Sequence, residues 1–74
     1  MTIDKTAPTL AEIEKELLEI SDLMRYASAT VYESGDSLNG PHRDLAFSGV
    51  HLIGEARGKV DRLLSRVEGV TRSI

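Results

Sequence analysis

Leu38-Asn39-Gly40-Pro41-His42 is the one short break between two long apolar stripes, and its reading decides the fold. On its N-terminal side the stripe runs Leu10, Ile13, Leu17, Ile20, Met24, Ala27 and Val31, with Leu38 reached after Ser34. On its C-terminal side it runs Ala46, Gly49, Ile53, Ala56, Val60, Leu63, Val67, Val70 and Ile74. Both alternate steps of three and four, the spacing of helices packed side by side. Gly40 suits the cap that ends a helix, and Pro41 suits the first turn of the next, where its missing N–H costs nothing. So short a break forces the helices antiparallel. The expected fold is all-α: an antiparallel two-helix hairpin, with helix 1 over about 9–38 and helix 2 over about 41–69. Gly35 is a competing stop for helix 1, and Gly69 is expected to fray the end of helix 2.

The flanks agree with this reading. Residues 1–8 lack periodicity and are expected to form a flexible lead-in to the domain at 9–74. Thr9 followed by Glu12 is a capping box, in which hydroxyl and carboxylate each satisfy a free backbone N–H. Folding about position 40 pairs residues whose numbers sum to roughly 80, an order-of-magnitude register set by the loop. Val31 then faces Gly49, Ala27 faces Ile53, Met24 faces Ala56, Ile20 faces Val60, Leu17 faces Leu63 and Ile13 faces Val67. Several of these oppose large with small, as interdigitating layers do.

Charge is distributed to match. Helix 1 carries Glu12, Glu14, Glu16, Glu19, Asp22, Glu33 and Asp36 against Lys15 and Arg25. The second half carries Arg43, Arg57, Lys59, Arg62, Arg66 and Arg72 against Asp44, Glu55, Asp61 and Glu68. An acidic helix beside a basic one selects this pairing, with Glu16 beside Arg66 as the named flanking pair. Each such exposed pair contributes about 0.2–1 kcal/mol, so it sets orientation more than stability.

A chain of 74 residues is one small domain with 0 cysteines, 0 tryptophans, 2 tyrosines and 1 phenylalanine. Domains of this size bury only about 60% of their unfolded surface and usually need a staple. With no disulfide and no thiolate metal site available, the expected support is another chain. Two helices also cannot cover Leu18, Leu23, Tyr26, Tyr32, Leu45, Phe47, Val50, Leu52 and Leu64, which lie outside the stripes. A wide apolar face belongs to a helix with more than one neighbour. A homodimer forming a four-helix bundle is therefore expected.

A formal net charge of −3 is the wrong sign for a duplex DNA binder, so nucleic acid is not the expected partner. No run of about 18 apolar residues spans a membrane, and Met1 to Pro8 holds no signal-peptide core. A cytoplasmic location is expected. His51 and Glu55 are spaced i, i+4 like half a metal site, and Asp44, Ser48 and His51 share a side. Lying opposite the seam, they read better as a solvated face, because a catalytic His needs an orienting partner and a dry pocket. No catalytic residue, metal or cofactor is expected.

Gly54 and Gly58 lie outside the stripe, where each glycine costs about 1 kcal/mol relative to alanine. Gly54 reads as a place for a close neighbour, and Gly58 as neutral. Tyrosines off the seam suit an interface, having an apolar body and a polar tip. The expected partner or dimer interface is Leu23, Tyr26, Tyr32, Phe47, Val50, Gly54 and Leu64. The expected function is a non-enzymatic protein-interaction module, a helical adaptor or regulator that binds another protein. The alternative is a dimeric DNA-associated regulator using the Arg face of helix 2.

The block Ala27-Ser28-Ala29-Thr30-Val31-Tyr32-Glu33-Ser34-Gly35-Asp36-Ser37-Leu38-Asn39-Gly40, continued by His42-Arg43-Asp44-Leu45-Ala46-Phe47-Ser48, resembles a family of short uncharacterised bacterial proteins. The shared features are a small-residue and Tyr-Glu-Ser stretch, a Leu-x-Gly turn and an Arg-Asp-Leu-Ala-Phe helix start. The resemblance covers about a third of the chain. It implies a helical hairpin and no assigned activity, so it carries over no site residues.

Overall fold

A computed structural model describes residues 7–73. Residues 1–6 of the expected lead-in over 1–8, and the end of the second stripe at Ile74, lie outside them. Two helices make up the fold, α1 over Leu10–Asp36 and α2 over Gly40–Ser73, and no strand occurs among the described residues. They pack against each other in a rod of 59 × 23 × 14 Å.

Helix α1 starts as its sequence dictates. Thr9 is extended, the Glu12 N–H donates to its hydroxyl at 3.1 Å, and its own N–H donates to Glu12 Oε2 at 3.3 Å. Both halves of the capping box are therefore made, satisfying two of the helix's orphan donors. The other end comes two residues before the expected one. Ser37 caps it: the Leu38 N–H donates to the Gly35 carbonyl at 3.1 Å, and the Ser37 hydroxyl donates to the Ser34 carbonyl at 2.9 Å. These i to i+3 bonds tighten the last turn and release the chain. Leu38 thus sits in the connection and not on the helix.

Gly40 has φ +59°, a backbone that L side chains adopt only at a cost, and it redirects the chain into α2. Pro41 follows within the first turn, as expected. Helix α2 does not end near Gly69 but continues through Ser73. There the Thr71 hydroxyl donates to the Val67 carbonyl and the Ser73 hydroxyl to the Gly69 carbonyl. Arg72 adds a favourable charge to the last turn.

The loop register is close to expectation, but the seam is rotated. A Cβ on Gly49 would lie 3.7 Å from Val31 Cγ1, so that facing pair is made. The Ser21 hydroxyl donates to Asp61 Oδ1 at 2.8 Å, and Arg57 Nε donates to Ser21 Oγ at 3.3 Å. Near the turn, Gly35 packs on Ala46 and Phe47. The innermost row of α1 is Leu17, Ser21, Met24, Ser28, Val31 and Gly35, so Ser21 takes the place expected of Ile20 and Ser28 that of Ala27. On α2, Leu64 is buried at 8% exposure whereas Leu63 stays 49% exposed. Leu17 therefore does not meet Leu63 as expected: Leu64 fills the seam at Leu17's end.

The cause is steric. Small residues at 21, 28 and 35 recur every seven positions and let the backbones approach, so the pair closes along them. Ile20 and Ala27, each one residue earlier, are turned by about 100° to the flank. Ser21, 7% exposed, is tolerated in the seam because its hydroxyl is fully engaged by Asp61 and Arg57. The core remains thin: among the described residues only Leu17 and Leu64 are buried apolar residues, and no side chain is completely buried.

Candidate functional site

The two helices give the rod two unlike sides. On one, the Tyr32 and Phe47 rings lie 5.3 Å apart at 31°, a tilted stack that bridges α1 and α2 next to the turn. The Arg43 guanidinium sits 5.0 Å from the Phe47 ring centre and 3.9 Å from Asp36, so it holds both an aromatic face and the end of α1. Below the stack lies an open groove of about 440 Å³ lined by Arg25, Ser28, Tyr32, Val50 and Arg57 among others. Arg25 pairs with Asp22 at 3.3 Å and Arg57 with Asp61 at 3.8 Å, so this side is a mixture of charges around an aromatic cluster.

Four of the seven expected interface residues meet here. Tyr32 and Phe47 stack, Val50 lines the groove with Tyr32, and Gly54 follows Val50 by one helical turn on the same side, with open space where its Cβ would be. The other three lie elsewhere. Tyr26 is on the outer surface of α1, 60% exposed, with the Arg25 guanidinium 5.1 Å over its ring. Leu23 lies on the opposite flank, 66% exposed. Leu64 is inside the hairpin's own seam.

The opposite flank is apolar along most of its length. Ile20 and Ala27 share it with Leu23 on α1, and Leu52, Ala56, Leu63 and Val70 carry it on α2. Leu52 is 65% exposed and Val70 49%. This flank escaped the sequence reading because its best members, Ile20, Ala27 and Leu63, were taken up by the seam. The available signal was the small-residue heptad Ser21, Ser28 and Gly35 immediately beside them.

His51 Nε2 lies 3.1 Å from Glu55 Oε1, with both side chains largely exposed. Among the described residues no group of three or more His, Asp or Glu is placed to hold a metal ion. The expected Glu16–Arg66 pair is absent from the ion pairs of the described residues. Both side chains stand on the apolar flank's outer edges, too far around their helices to meet across the seam. No helix among the described residues is long and apolar enough to cross a membrane.

Fold and site together define a small antiparallel helical hairpin with an aromatic cluster at the turn and an uncovered apolar flank. The chain belongs to a family of unknown function (DUF6124), whose model matches residues 7–66. The match spans the capping box, the turn and most of both helices. No curated protein and no solved structure matches the chain.

Proposed function

We propose that this chain is a non-enzymatic protein-interaction module: a homodimeric helical hairpin that acts as an adaptor or regulator by binding another protein. One observation carries the reading. Leu18, Leu23, Tyr26, Tyr32, Leu45, Leu52 and Leu63 are all at least 46% exposed, while the buried apolar core among the described residues is two leucines. Of these, Leu23, Leu52 and Leu63 share one flank, and exposed apolar surface gathered in this way marks protein contact. Burying one such side chain contributes about 1.5–3 kcal/mol, so a handful per chain offsets the entropy lost on association.

The turn-end cluster is the surface offered to the other protein. Aromatic and arginine side chains dominate binding energy where they are found together, and Tyr32, Phe47 and Arg43 are so placed. Phe47→Asp is expected to weaken capture of the partner from its native host by about thirtyfold or more, the cost of losing a hot spot. Circular dichroism should show retained helicity. Unchanged capture by a folded Phe47→Asp chain would sink the assignment of this surface.

A second reading is favoured by Lys59, Arg62 and Arg66, which line one stretch of α2 and form no ion pair among the described residues. They would suit a dimeric DNA-associated regulator. Against it stand the net charge of −3 and the glutamates of α1. Such binding must weaken steeply with salt. A labelled duplex left unshifted at low ionic strength disposes of it, and that is the expected result.

A further inference from the structure

We infer that the occupant of the apolar flank is a second copy of this chain, docked about a two-fold axis parallel to the helices. In that arrangement α1 of one copy lies over α2 of the other, and Glu16 of each faces Arg66 of its partner. The inference rests on the homodimer proposed above and adds its face, its axis and its register.

Three observations support it. The first is area. The chain exposes 6005 Å², where a compact monomer of its mass exposes about 4,500 Å². Granting the seven residues outside the described range a fully unfolded surface still leaves an excess of roughly 700 Å², against about 800 Å² for one side of a standard interface.

The second is pattern. Ile20 and Ala27 are seven apart on α1, as are Ala56, Leu63 and Val70 on α2. Ile20, Ala27, Ala56 and Leu63 each lie one residue before a member of the hairpin's own seam: Ser21, Ser28, Arg57 and Leu64. In an antiparallel pair that step turns both helices to the same side, away from the Tyr32–Phe47 stack. A second heptad row on the same side of both helices is what a bundle with two seams requires.

The third is charge. Glu16 edges this flank on α1, and Lys59 and Arg66 edge it on α2. None of these three is in an ion pair among the described residues. The seam contacts Ser21–Arg57 and Ser21–Asp61 place Glu16 and Arg66 at the same height along the rod. An axis parallel to the helices keeps that height and brings the acidic edge of one copy over the basic edge of the other. An axis perpendicular to them would stack α1 on α1 and leave Glu16 near Thr30 of the other copy.

The chain has 0 cysteines, so introduced thiols report cleanly. A chain carrying Glu16→Cys is mixed with one carrying Arg66→Cys and oxidised, beside each alone. The expected result is a disulfide-linked dimer in the mixture and little in either alone. Sedimentation of the full chain should show twice the 8.1 kDa mass, and Leu63→Glu should raise the dimer dissociation constant by about a hundredfold. If the unmodified chain sediments as a monomer throughout, the homodimer fails and this inference with it. If it is a dimer that Leu63→Glu leaves intact and that yields no mixed crosslink, the dimer stands and this face and axis are overturned. A strong crosslink in either single variant overturns the axis in the same way.

Discussion

Leu64→Ala is expected to lower the thermal midpoint by about 10–20 °C, the larger of two effects to which this fold is most sensitive. Leucine-to-alanine changes in cores cost about 2–5 kcal/mol, and the lower part of that range applies where neighbours can close on the gap. Each kcal/mol moves the midpoint of a domain this small by about 4–8 °C. Leu64 is one of only two buried apolar residues among those described, which show no second core to take up the loss. Leu63→Ala provides the contrast. At 49% exposure it removes little from the hairpin itself, so its cost should grow with chain concentration while that of Leu64→Ala should be present at every concentration. Thermal melts followed by circular dichroism across a dilution series separate the two. Equal costs at all dilutions would mean that Leu63, too, acts only within one chain.

Gly35→Ala should destabilise the hairpin even though it replaces a glycine inside a helix. Helix propensity alone favours alanine by about 1 kcal/mol. Here the added Cβ would lie 2.9 Å from Phe47 Cε1, 3.0 Å from Ala46 Cβ and 3.1 Å from Phe47 Cδ1. The Phe47 ring can swing, but Ala46 Cβ moves only with its backbone, so the two helices must separate. Overpacking of this kind costs about 1–3 kcal/mol, which exceeds the propensity gain. Urea unfolding should therefore show a lower midpoint for Gly35→Ala and a higher one for Gly58→Ala, whose Cβ meets nothing within 4 Å. Adding Phe47→Leu to Gly35→Ala should recover part of the loss, since residues in contact couple non-additively. A stabilised Gly35→Ala chain would mean that the close approach is cheaply relieved.

The parts of the fold that local chemistry controls were legible in the sequence. Thr9 and Glu12 announce the start of α1, Gly40 and Pro41 the reversal, and the number of loop residues sets the height at which Val31 meets Gly49. The rotation of each helix about its own axis was not legible, because hydrophobicity ranks Ile20 above Ser21 whereas the seam takes Ser21. Ser21 wins the inner place through its size and through Asp61 and Arg57 across the seam, a pairing visible only once the register is known. Gly35, weighed as a helix stop, is a contact residue within α1. The early end of α1 depends on Ser37 hydrogen bonds that have no distinctive spacing. At the candidate site, Tyr32, Phe47 and Val50 were legible as residues beyond the reach of a two-helix seam. Their separation from Leu23 by the whole width of the rod was not.

The Gly40-Pro41 junction also governs how two copies can exchange parts. Every contact between α1 and α2 could equally be made between chains if the turn opened and the two helices fused into one long rod, which is the usual route to domain swapping. Fusion would force Gly40 from φ +59° to helical values and would place Pro41 in a helix interior. There its ring would collide with the carbonyl of Ser37 and leave it without a donor, at about 3 kcal/mol per chain. A swapped dimer would bear that penalty twice and gain no contact that the closed hairpin lacks. The turn therefore acts as a lock on topology: two chains can meet on their outer surfaces, but each keeps its own pair of helices.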